Sequence, residues 1–165
     1  MPKLDLPSWE ILEEAKSFLE SALLIEKHGD VNHLRPACVY AGFSMELFLK
    51  SFLASDDSTP LDISFPSGLQ MYQGGVKSEY GHNLMDLFNK IPAQYQKLIL
   101  DASEELKPGY PLKDKFKDYA GYFFNARYGY ENTKQSIGVL RLEVLDAAEH
   151  FGKVCYAVAR SELAQ

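Results

Sequence analysis

Glu46, His82 and Arg127, with Tyr128 and Tyr130 beside the last, are the residues of this chain whose types could act together on an anion. An arginine supplies a permanent, planar cation for a carboxylate or phosphate. An imidazole moves a proton near neutral pH. A carboxylate neutralises the first or orients the second. Lys50 stands four residues after Glu46, and Asn83 stands next to His82. Two arrangements are open. In one, Arg127 and His82 are a catalytic pair, with Glu46, Lys50, Asn83, Tyr128 and Tyr130 binding the ligand around a helix start. In the other, Arg127 neutralises Glu46, His82 caps a helix, and the cluster is structural.

Other chemistry finds little footing. The chain has no Gly-rich phosphate loop, no HExxH, no EF-hand loop and no GxSxG. Its four histidines never stand three or four residues apart, so no helical metal-ligand pair forms, and neither a metal nor a cofactor is expected.

The elements that must position these side chains read as helices. The central one is Arg35 to Ala54, RPACVYAGFSMELFLKSFLA, apolar on almost every side as a buried helix is. Asn32 is its expected N-cap, and Pro36 suits its first turn. Small residues at Ala37, Ala41, Ser44 and Ser51 let a neighbour approach. Glu46 and Lys50 are spaced to pair along the helix. Before it, an amphipathic helix opens at Pro7–Ser8, with Ser8 as N-cap, and ends near His28–Gly29. The short link makes these two helices antiparallel neighbours.

Ser55 to Gly81 has two prolines, four glycines and no sustained period, and reads as a long functional or mobile loop. Phe65, Leu69, Met71 and Tyr72 should anchor it to the bundle. His82 or Asn83 caps the next helix, stopped by Pro92, and a further segment runs from Ala93 to Leu106. Leu112 to Tyr128 reads as one helix, with Phe116, Ala120, Phe123 and Arg127 on a single stripe. After the break at Gly129, a last helix runs from Thr133–Lys134 to the end of the chain. The spacing predicts an all-α fold, an up-and-down bundle of four to five main helices with a long loop between the second and third. All of residues 1–165 fall in one domain.

At 46% hydrophobic and 24% charged, the chain suits one well-buried core. The net charge of −6 argues against sequence-blind nucleic-acid binding over the whole surface. Lys107 to Lys134 runs against that balance, with six cations and three anions. No apolar run approaches the roughly 20 residues that span a bilayer, and the first segment carries acids where a signal peptide would be apolar. Cys38 and Cys155 lie inside helical apolar patterns and read as reduced core residues. No membrane association and a cytoplasmic location are expected.

The order of an opening helix, AGFSMELFLKSFLA, GHNLMDLF after an insert, FFNARYGYE and a long closing helix resembles the HEPN superfamily, over roughly Leu12 to Val158. The resemblance implies a small helical domain of prokaryotic toxin–antitoxin or defence systems, a homodimer, and a nucleotidyltransferase or antitoxin as partner. Many members are metal-independent endoribonucleases whose signature is an Arg followed after four to six residues by a His. Here those positions hold Asn132, Thr133 and Lys134 after Arg127, and no His follows Arg35 or Arg141 at that spacing. Only Arg127 corresponds to the family Arg. The resemblance thus implies a non-catalytic or degenerate domain that binds RNA, a nucleotide or a protein partner. The alternatives are an endoribonuclease toxin using Arg127 and His82, and a purely structural interaction module.

Overall fold

The computed structural model describes residues 4–123 and 143–163. Helix α1 is Trp9–His28. Ser8 stands at its N-cap, but its side chain caps nothing; its N–H donates to the carbonyl of Ser51 at 2.8 Å. That bond joins the start of α1 to the end of α2, Leu34–Ser51, so the two helices are antiparallel as expected. Gly29, past the end of α1, is needed for space: a Cβ there would stand 2.5 Å from the carbonyl of Ile25.

Between the two helices a 3-10 turn, Val31–His33, is capped by Asp30 and not, as expected, by Asn32. The N–H of Asn32 donates to Asp30 Oδ1 at 2.8 Å. This bond, with His33 beside it, holds the Asp30 carboxyl below its ordinary range. The turn adds a step that a simple N-cap pattern does not contain, and α2 then starts without a side-chain cap.

Helix α2 is the buried centre. Ala37, Cys38, Ala41, Met45, Phe48 and Leu49 are inaccessible to solvent. The hydroxyls of Ser44 and Ser51 donate to the carbonyls of Ala41 and Phe48 within the same helix, both at 2.7 Å, which makes their burial inexpensive. Gly42 admits the chain at Tyr122 and Phe123, whose atoms lie 3.3 and 3.5 Å from where a Cβ would stand. Opposite, the last described helix, here α6 (Glu143–Leu163), lays Val144, Ala147, Phe151, Val154 and Val158 into the core. Gly152 lets it close on α1 and α2, since a Cβ would meet Leu19 at 2.9 Å and Phe48 at 3.2 Å. Cys38 and Cys155 are buried in this core and form no disulfide, and burial raises both above the ordinary thiol range.

Helices α3 (Leu84–Lys90), α4 (Ala93–Leu106) and α5 (Leu112–Asp118) complete the described helices. The expected helix from Leu112 to Tyr128 is not continuous. It stops at Asp118, and the chain turns through Tyr119 to Gly121. The carbonyl of Ala120, which a continuing helix would bond internally, accepts from the N–H of Leu84 at 3.0 Å instead. Gly121 beside it contributes little to holding a helix together. The expected stripe through Ala120 and Phe123 is therefore broken, and its end at Arg127 lies outside the described residues.

The fold is mostly helical but not all-α. Within 55–81, expected as a loop, β1 (Ser55–Asp56) pairs antiparallel with β4 (Val76–Lys77), and β2 (Thr59–Ser64) with β3 (Gln70–Gln73). The N–H of Gly68 closes the turn onto the carbonyl of Phe65 at 2.9 Å, and Gly68 has φ +73°, a conformation glycine adopts without strain. Among the described residues, no helix is long and apolar enough to cross a membrane.

Candidate functional site

Glu46 sits in the middle of the buried helix, with its side chain only 1% exposed. A carboxylate cannot stay charged there without partners. Helical spacing gives it the first: Lys50 Nζ lies 2.7 Å from Glu46 Oε1. The second comes from 36 residues further along the chain. His82 Nδ1 is 3.1 Å from both Glu46 oxygens.

Three bonds hold His82 in reach. Ser78 Oγ donates to the carbonyl of Lys50 at 2.8 Å and ties the incoming chain to the end of α2. Asn83 Oδ1 accepts from the N–H of Asp86 at 3.0 Å and caps α3. The bond from Leu84 N–H to Ala120 fixes the same corner from the α5 side. The Phe123 ring lies 6.3 Å from the His82 ring and stacks on Phe43 at 4.6 Å. The imidazole side chain is 50% exposed and Lys50 is 17% exposed. The corner thus runs from a buried anion to a half-wet imidazole. A cavity of about 470 Å³ opens beside it, between Tyr80 and Lys90, with Asn83, Asp86 and Asn89 on its wall.

Chemically, a carboxylate on Nδ1 fixes the ring orientation and, in the neutral form, the tautomer with its proton on Nδ1. Nε2 is the ring nitrogen turned away from the carboxylate.

The sequence-derived set is partly brought together. Glu46, Lys50 and His82 meet, and Asn83 adjoins them as the α3 cap. Arg127, Tyr128 and Tyr130 lie outside the described residues. The Glu46 carboxylate is engaged by Lys50 and His82; the expected partnership with Arg127 falls outside the described residues. The start of α3, expected to offer N–H groups to an anion, uses two of them on Ala120 and Asn83 and places Asp86 in its first turn. Ser78 and Phe123 are members that sequence reasoning missed. Nothing in the spacing of a lone serine marks a bond to a carbonyl 28 residues away.

A second polar island lies across the core. His150 Nε2 is 2.8 Å from Ser103 Oγ, both residues are buried, and the Tyr110 ring sits 4.3 Å away. Burial first, then the nearby Lys107 and Lys153, lowers the His150 pKa below its ordinary value. Burial pushes Tyr110 up to about 12. The island holds His150 inside the core, between α4 and α6. Among the described residues, no three His, Cys, Asp or Glu side chains are grouped to hold a metal.

Comparison with protein-family models, with curated proteins and with solved structures found no match to this chain.

Proposed function

We propose that this chain is a HEPN-like domain with a degenerate catalytic motif, and that as a homodimer it binds RNA or a nucleotide phosphate at the His82 corner. The observation that carries this reading is the Glu46–His82 contact. A buried carboxylate holds a half-exposed imidazole in one orientation, next to a cavity and next to Phe123, from which the chain enters the segment bearing Arg127. An imidazole held by a fixed anion and an arginine are suited to phosphate oxygens. The motif of the resembled family puts both groups on one stretch of chain; here they come from separate stretches, which favours binding over cleavage. The resemblance also supports a nucleotidyltransferase or antitoxin as protein partner. The two buried cysteines, which form no disulfide, support a reducing cytoplasm.

The test is a labelled RNA pool titrated with pure protein in EDTA, read by both anisotropy and gel. Intact RNA with saturable binding is expected, weakened about tenfold by either Arg127→Ala or His82→Ala, as loss of one charge-assisted hydrogen bond implies. Absence of binding would leave the structural interaction module. The endoribonuclease reading keeps one specific support, since a carboxylate on Nδ1 also prepares an imidazole for acid–base work. Cleavage that disappears in both variants would establish it.

A further inference from the structure

We infer that the groove between α1 and α6 binds a fatty carboxylate, its chain lying on the apolar floor and its head on Arg160. Tyr156 meets Trp9 and Gly152 meets Leu19, so the two helices run antiparallel along the groove. The cavity between them measures about 540 Å³, in the range of small-ligand sites. Its floor is Leu19 and Leu23 of α1, Gly152 of α6 and Phe48 of α2. Gly152 leaves that floor without a side chain on the α6 side. Leu106, at the end of α4, adds a half-exposed apolar side chain. From Glu149 to Arg160 the α6 wall is about 16 Å long, so a decyl chain fits along it.

The charges on the rim select the occupant. Lys16 pairs with Glu20 at 3.8 Å, and Lys153 with Glu149 at 2.9 Å, each along its own helix. Those four charges cancel. Arg160 lines the same groove and is exposed, and among the described residues no carboxylate pairs with it. The Tyr156 hydroxyl is already spent on Glu13 at 2.6 Å, so Tyr156 offers the groove its ring. The groove thus carries one spare positive charge in a chain of net charge −6. A guanidinium matches a carboxylate with two parallel hydrogen bonds. A cationic amphiphile would meet Arg160 head-on. A polyanion would set its further charges against Glu20 and Glu149. One negative charge on one apolar chain satisfies both the rim and the floor.

The groove shares no residue with the His82 corner, so this inference stands apart from the function proposed above. The experiment is titration calorimetry of the full chain with decanoate, held below the concentration at which it forms micelles. One decanoate should bind per chain. Octanoate, shorter by two methylenes, should bind roughly tenfold more weakly. Decyltrimethylammonium, the same tail with the opposite charge, should not bind. Arg160→Gln should weaken decanoate about tenfold, as loss of a charge-assisted hydrogen bond implies. Arg160 is exposed, so the thermal midpoint of that variant should be unchanged. Ala157→Leu, which adds bulk to the α6 wall, should weaken decanoate and leave RNA binding as it was. Decanoate that fails to saturate, that binds in several copies, or that binds both variants as well as the natural chain would overturn the assignment. Equal binding of decyltrimethylammonium would overturn it too, since the head would then play no part.

Discussion

His82 and His150 are both held by an oxygen, and the difference between those oxygens separates the two ends of the molecule. His150 meets a neutral hydroxyl, Ser103, in a buried pocket under Tyr110, where its charged form is disfavoured. His82 meets a carboxylate, Glu46, and half of its side chain reaches water. The first arrangement keeps an imidazole neutral and still. The second presents an oriented imidazole to whatever approaches. A histidine in a helical bundle is thus informative by its partner and its exposure together, and by neither alone.

The largest effect should come from stripping the Glu46 corner. Among the described residues, Lys50→Met leaves the buried carboxylate a half-exposed imidazole for company, and should destabilise the fold by about 3 kcal/mol, read from urea unfolding. Glu46→Gln removes the charge itself and should cost less, about 1–2 kcal/mol. If the order were reversed, Glu46 would not be the anion that the corner is built around. At the other end, Ser103→Ala leaves His150 without its hydroxyl and should cost about 1 kcal/mol by the same measurement.

The pH dependence sharpens the contrast. The folded His150 pKa lies below its unfolded value, so below the ordinary histidine range the unfolded chain binds more protons than the folded one. Its contribution to stability is complete above that range and is lost as the pH falls through it toward the depressed folded value. Urea midpoints from pH 7.5 to 5 should fall in the natural chain, and fall less steeply in His150→Gln. Equal slopes would mean that His150 is not held neutral by its pocket.

The periodic helices α1, α2 and α6 were legible because each buries one face, or every face, over many turns. The Glu46–Lys50 pair was legible for the same reason: four residues on one helix are neighbours by geometry. The partnership of His82 with Glu46 was not, because it depends on how the 55–81 arm folds back, which no local spacing encodes. The strands of the arm had no local signature that could place them. Its prolines and glycines look like loop, while the strands between them are only two to six residues long. The end of α5 was missed because Phe116, Ala120 and Phe123 keep helical spacing while the Ala120 carbonyl bonds to Leu84, a competition between local and distant partners that the sequence does not display. Asp30 lost to Asn32 as the expected cap because both are good capping residues, and only the 3-10 turn decides between them.

The most direct measurement is the imidazole NMR spectrum of the four histidines during titration with short RNA. The resonances assigned to His82 should shift saturably with RNA while those of His150 stay in place. An unmoved His82, or a shift confined to His150, would contradict the assignment of the Glu46–His82 corner as the place where this domain meets its ligand.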